Sequence, residues 1–143
     1  MSADDGPRPD VLVSNRQDIP VDESGLRALA EDTLVAEGAN EVELSLTFVS
    51  LEDMRDLHER FMREHGPTDV LAFPMDDGDG ARRLLGDVVV CPEYAASSND
   101  DLASELRLLV VHGVLHLLGY DHEEDDEREL MWRRQERYSG VAV

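Results

Sequence analysis

Three histidines that lie close together in the chain, His112, His116 and His122, have the spacing of a single metal site. Residues four apart share one face of a helix, about 6 Å apart, so His112 and His116 can offer two imidazoles to one ion. Gly119 can adopt the left-handed conformation that ends a helix and turns the chain, which would bring His122 to the same ion. Leucine and valine residues surround the pair, and unliganded imidazoles would be costly there. The spacing therefore predicts a zinc site with three histidine ligands.

Three protein nitrogens leave the fourth tetrahedral position of zinc open to water, as in catalytic rather than structural zinc sites. With neutral ligands the ion keeps its full charge, so it can polarise a carbonyl or phosphoryl oxygen and lower the pKa of bound water toward about 7. We therefore expect one Zn²⁺ ion per chain and a hydrolytic reaction.

The same spacing fits the zinc-protease pattern H-E-x-x-H-x-x-G-x-x-H with one departure. Position 113 is glycine, whereas the proteases carry there the glutamate that takes a proton from the zinc-bound water. A zinc metallopeptidase is therefore the second hypothesis.

Longer segments of the chain resemble a known family. The segment from His112 to His122, HGVLHLLGYDH, fits the pattern H-G-x-L-H-L-x-G-Y-D-H. The segment from Pro67 to Pro74 is similar to P-T-D-V-L-S-F-P, and the one from Gly86 to Val90 is similar to a G-D-[IV] strand. In these motifs and their order the chain resembles the YbeY family of bacterial metal-dependent endoribonucleases.

The resemblance implies an enzyme that cleaves single-stranded RNA and acts in small-subunit (16S) rRNA maturation and ribosome quality control. Its partners would be rRNA, the small ribosomal subunit and its assembly factors, and neither DNA nor a membrane is expected. The attacking nucleophile, water or a 2′-hydroxyl of the RNA, stays open. A non-catalytic ribosome-assembly factor with a structural zinc is the third hypothesis.

Two positions depart from the family's pattern. Many members carry an arginine five residues before the proline of the P-T-D segment, where this chain has Met62. Arg60 and Arg63 flank that position and are candidates for a phosphate contact, although solvated helix residues explain them equally well. Ala72 replaces the family's usual serine.

Acidic residues beside the third histidine are further candidates. Asp121, Glu123 or Glu124 could orient a ligand imidazole or accept a proton from the metal-bound water. The acidic run also has a structural explanation, because acidic residues at the start of a helix are favoured by its dipole.

Length and composition indicate one domain. The chain has 143 residues, 41% of them hydrophobic, and we expect a disordered segment at residues 1–9 followed by a single domain at residues 10–143. A single cysteine, Cys91, agrees with a reducing compartment, and the absence of a signal sequence or long apolar run predicts a cytoplasmic protein. The net charge of −20 opposes RNA binding unless arginines, which are all thirteen basic residues, cluster locally.

Hydrophobic periodicity predicts the element order β-α-β-α-β-β-α-α and, after Pro92, a further short helical segment. Two of the strands should form a hairpin, and residues 102–118 should form a long apolar helix that bears His112 and His116. His58 and His65 are expected on the surface of the second helix. The fold class is therefore α+β, a single domain with a small mixed sheet packed against helices and a central helix that carries the metal-binding histidines.

Overall fold

Four strands form one sheet within the part of the chain that the computed structural model describes, which is residues 7–62, 68–77, 83–98, 100–120 and 124–141. The strands are β1 (Asp10–Arg16), β2 (Val42–Val49), β3 (Val70–Asp77) and β4 (Arg83–Val90). Their order across the sheet is β1-β2-β4-β3. The pairs β1 with β2 and β2 with β4 are parallel, whereas β3 and β4 are antiparallel, so the sheet is mixed, as predicted.

The described residues also form five helices: α1 (Glu23–Ala36), α2 (Leu51–Met62), α3 (Pro92–Ser98), α4 (Leu102–Leu117) and α5 (Asp125–Ser139). The short helical segment predicted after Pro92 is confirmed as the separate helix α3, so the structure has one helix more than the order β-α-β-α-β-β-α-α. Proline fits the first turn of a helix, where its missing N–H has no partner to lose. Within the described residues, no helix is long and apolar enough to cross a membrane.

Alternation along β2 explains how the sheet is covered. Val42, Leu44, Leu46 and Phe48 point to one face, where they join the main apolar core with residues of α1, α4 and α5. Val49 points to the other face and belongs to a smaller apolar cluster with Met54 of α2. Helices α4 and α2 therefore pack on opposite faces of the sheet.

Two smaller sequence predictions have different outcomes. Cys91 is fully buried in the smaller cluster, and burial raises the pKa of its thiol, so it is a structural residue as expected. His58 on α2 was expected on the surface, but only 9% of it is exposed. The prediction was wrong because His58 follows Met54 at helical spacing and points with it toward the sheet. His65 lies outside the described residues.

Candidate metal centre

Helix α4 places the first two histidines of the predicted site. It begins at Leu102 because the Asp101 carboxylate accepts hydrogen bonds from the Ser104 N–H at 3.2 Å and the Ser104 hydroxyl at 2.7 Å. These bonds hold the pKa of Asp101 below its ordinary value. The helix is buried on most of its surface and contacts α1, α3, α5, β3 and β4. It is the central helix that the sequence predicts.

His112 and His116 lie on one face of α4, one turn apart. Their ring centroids are 6.5 Å apart and the ring planes are 12° from parallel. With zinc to nitrogen bonds of about 2.0–2.1 Å and a tetrahedral angle, two imidazoles on one ion have centroids about 5 Å apart, so the two rings would have to move about 1 Å closer for shared coordination. His116 is exposed and His112 is half-buried, so the pair is open to solvent on one side.

The chain leaves α4 as the sequence predicts. Gly119 has a φ of +104°, in the region that favours glycine. The Tyr120 N–H donates to the Leu115 carbonyl and the Gly119 N–H donates to the His116 carbonyl, each at 3.1 Å. This pair of bonds is a Schellman motif, which satisfies the last carbonyls of the helix while it turns the chain away from the axis.

Three of the sequence candidates next to this turn lie outside the described residues, whereas Glu124 is the exposed residue just before α5. The three are His122, Asp121 and Glu123, and Arg63 after α2 also lies outside the described residues. Among the described residues, no group of three or more histidine, cysteine, aspartate or glutamate side chains could hold a metal ion. Two histidines are thus placed together, and the third ligand stays a prediction.

Gln135 contacts the site, although the sequence analysis did not single it out. Its Oε1 lies 2.5 Å from Nδ1 of His112, and only 3% of the residue is exposed. Gln135 belongs to the buried face of α5 together with Met131 and Ser139, each one helical turn away. An amide side chain at helical spacing from the buried Met131 is the sequence signal that could have indicated a buried polar residue with a hydrogen-bond partner.

A second polar cluster ties the chain after α4 to the rest of the domain. The Glu37 carboxylate, just past the end of α1, accepts hydrogen bonds from the hydroxyls of Tyr120, at 2.6 Å, and Tyr138. The Arg134 guanidinium lies 3.5 Å from the same carboxylate. Burial and then the hydrogen bond to Glu37 raise the pKa of Tyr120 to about 12. A carboxylate at a helix C-terminus is unfavourable with respect to the helix dipole. Its position in the sequence therefore indicates that hydrogen bonds or a cation from other elements stabilise it.

Gly113 lies where α4 comes closest to the sheet. A Cβ atom at this position would be 2.5 Å from Cγ1 and 3.0 Å from Cγ2 of Val88, which is itself fully buried in β4. Position 113 therefore faces the core rather than the histidines' open side. Glycine at this position supplies no general base for a peptidase reaction, and a larger side chain would first meet Val88.

Several arginines among the described residues are paired with carboxylates. Arg60, the described member of the pair that flanks Met62, forms an exposed ion pair with Asp56 at 3.3 Å on α2. Arg128 of α5 is paired with Asp125 at 3.4 Å. Helices α2 and α4 pack on opposite faces of the sheet. Arg60 and the two histidines therefore belong to helices on opposite sides of it.

A concave region on the α2 face of the sheet is separate from the histidines. This cavity, of about 590 Å³, is lined by residues that include Arg16, Thr47, Phe61 and Asp87. Neither His112 nor His116 lines it. This cavity is therefore not part of the predicted metal site.

Comparison with known proteins agrees with this geometry. The profile described as endoribonuclease YbeY matches residues 12–140. The chain belongs to the endoribonuclease YbeY family. Its relatives in this family include endoribonuclease YbeY of Beutenbergia cavernae, which is 45% identical over 87% of this chain and 91% of the relative. The protein of the same name from Salinispora tropica is 44% identical over 89% of this chain and 92% of the relative.

The YbeY relatives are matched over most of their length, so the family assignment covers both the sheet and the histidine helix. A solution structure of a Thermotoga maritima protein shares the fold, with a TM-score of 0.58 and 31% identity over 90% of this chain and 86% of that protein. The family resemblance and the α+β fold class predicted from the sequence are both confirmed. The ligand set and the catalytic residues stay predictions.

Proposed function

We propose that this member of the YbeY family is a zinc-dependent endoribonuclease that cleaves single-stranded RNA in the maturation of small-subunit rRNA. One structural observation supports the metal site above all: His112 and His116 share one face of α4, and the Gln135 amide holds His112 through Nδ1. His122 is the proposed third ligand of one zinc ion per chain.

The chemistry of the side chains fits zinc. Neutral imidazole is a common zinc ligand, and the ring nitrogen that does not bind the ion usually donates its proton to an oxygen of the protein. Gln135 supplies such an oxygen at 2.5 Å from His112. A zinc ion held with an open position would supply a Lewis acid for the phosphodiester group.

Contacts among the described residues hold the two histidines and the turn after α4 in place. The exposed His116 faces the side from which a substrate can approach, while the half-buried His112 is fixed by Gln135. The Gly119 turn ends the helix three residues before His122 in the chain, and the Tyr120 hydroxyl ties that turn to Glu37. The ligand face is therefore built on a rigid helix and a braced turn.

The charge of the chain makes local groups decisive for RNA binding. A net charge of −20 repels the RNA backbone at long range, and several arginines are already paired with carboxylates. We propose that the contact with the phosphodiester depends mainly on the metal site, so that removal of the metal weakens RNA binding as well as cleavage.

The test compares two substrates and two variants. The zinc-loaded protein is incubated with a labelled RNA that has a single-stranded tail and a duplex stem, and separately with casein. Cleavage confined to the RNA tail, lost in His116→Ala and kept in the exposed-site control Asp32→Asn, supports the proposal. Zinc-dependent proteolysis with intact RNA would overturn it in favour of the peptidase.

If neither substrate is cut while chelation lowers the melting temperature, the non-catalytic assembly factor with a structural zinc is the better description. The proposed location is the cytoplasm, and the proposed partners are the small ribosomal subunit and its assembly factors, which co-sedimentation with purified subunits can test. We also propose that residues 10–143 form the active domain, so that removal of residues 1–9 leaves zinc binding unchanged.

A further inference from the structure

The amide of Gln135 has a more specific role than packing. We propose that Gln135 is a positioning residue that keeps the proton of His112 on Nδ1 and thereby presents Nε2 to the metal. This inference rests on the metal site of the proposed function. It adds a residue that lies 23 positions away from its histidine in the chain.

The contact favours one tautomer. Oε1 of Gln135 faces His112 Nδ1 at 2.5 Å, and an amide oxygen can only accept a hydrogen bond, so this arrangement pairs with a proton on Nδ1. In a neutral imidazole the lone pair is then on Nε2, which is the nitrogen that can bind a metal. If the amide were turned so that its NH₂ group donated to Nδ1, the proton would be on Nε2 and that nitrogen could not bind zinc.

Burial makes the amide an effective control of the proton. Only 3% of Gln135 is exposed, so little water can replace His112 as the donor to Oε1. Loss of the Nδ1 proton would leave a buried acceptor without a donor, which is unfavourable. The folded protein therefore favours one tautomer before any metal binds.

Helix α5 holds Gln135 in a fixed place. Met131, one turn before Gln135, is fully buried in the main core. Arg107 of α4 donates from Nε to the Ser139 carbonyl at 2.9 Å, one turn after it. Tyr138 donates to Glu37 of the α1 end. Because α5 is anchored before and after Gln135, the amide meets His112 without a large loss of side-chain freedom.

The first test is the protonation state of His112 in the metal-free protein. Two-bond ¹H–¹⁵N correlation spectra at pH 8 distinguish the two neutral tautomers, and the signals that disappear in His112→Ala are those of His112. The Nδ1–H form is expected for wild type and for Gln135→Glu, whose carboxylate can also accept. A mixture or the Nε2–H form is expected for Gln135→Leu. An Nε2–H tautomer of His112 in the wild-type protein would overturn the proposal, whether or not the variants fold.

The second test measures zinc affinity by competition with a chromophoric chelator. Loss of a group that orients a ligand imidazole weakens metal binding by about 10–100-fold, which is the range expected for Gln135→Leu. Gln135→Glu should bind within a few-fold of wild type. Tyr138→Phe is the matched control, because it removes a hydrogen bond of α5 that does not reach His112.

The outcomes separate positioning from general support of the fold. Tyr138→Phe should lower the melting temperature of the metal-free protein and leave zinc affinity unchanged. Equal losses of zinc affinity in Tyr138→Phe and Gln135→Leu, or in Gln135→Glu and Gln135→Leu, would overturn the proposal. A protein that has the expected tautomer and binds zinc but cleaves no RNA contradicts the proposed function and leaves the role of Gln135 intact.

Discussion

Gly113 gives the sharpest quantitative prediction, because it lies where α4 meets the sheet. In Gly113→Ala the new Cβ would be 2.5 Å from Cγ1 of Val88, far inside van der Waals contact. Overpacking a buried contact costs about 1–3 kcal/mol, while alanine in place of glycine within a helix returns about 1 kcal/mol. We therefore expect a net loss of about 0–2 kcal/mol in the free energy of unfolding, or up to about 6 °C in melting temperature.

A double-mutant cycle with Val88→Ala isolates the steric part of this cost. Val88→Ala alone should cost about 2 kcal/mol, because it removes buried methyl groups and leaves a small cavity. In that background, of the three atoms nearest to the new Cβ of Gly113→Ala only the Val88 Cβ remains, at 3.3 Å, and a shift of a few tenths of an ångström relieves this contact. Gly113→Ala should then stabilise the protein by about 0.5–1 kcal/mol through helix propensity and filled space.

The assay is urea unfolding of the four metal-free proteins, followed by circular dichroism. The predicted coupling between the two positions is about 0.5–3 kcal/mol. If Gly113→Ala changed stability equally in both backgrounds, the close approach of α4 to β4 at this point would be refuted. Gly113→Glu carries the same reasoning to the peptidase question: it should destabilise the protein strongly and create no proteolytic activity, since the carboxylate would enter the core.

Three further predictions concern the metal and the Glu37 cluster. Zinc at about 100 times its dissociation constant should add about 2.7 kcal/mol of stability, seen as a rise of several degrees in melting temperature that chelation reverses and His116→Ala abolishes. Glu37→Gln should lower the free energy of unfolding in urea by about 1–3 kcal/mol, because an amide cannot accept from all the groups that now donate to the Glu37 carboxylate. Asp32→Asn is the control: Asp32 is in an exposed ion pair of 3.8 Å, so this change should alter the free energy of unfolding by less than about 1 kcal/mol. The pKa of Tyr120 is raised from 10.0 to about 12, so its contribution is complete below pH 10 and is lost as the pH rises toward 12. The free energy of unfolding, measured from pH 10 to pH 12, should therefore fall less steeply with pH for Tyr120→Phe than for the wild type. Identical slopes would contradict the role given to this hydroxyl.

Local sequence signals predicted much of the fold because they act over one or two helical turns. Asp101 marks the start of α4 and Gly119 marks its end, and both positions have the hydrogen bonds or backbone conformation that their residue types favour. The hairpin of β3 with β4 was also predicted correctly. The error concerns His58, because the burial of a side chain depends on what packs over it.

The sequence by itself determined the family, the fold class and the pairing of His112 with His116, because helix geometry fixes which residues four positions apart share a face. Only the tertiary structure decided which groups support that pair. Gln135 reaches His112 across 23 residues and Glu37 reaches Tyr120 across 83, and no local periodicity encodes such contacts. The direction of position 113 was also decided by packing, because the distance between α4 and the sheet depends on how both elements fill one core.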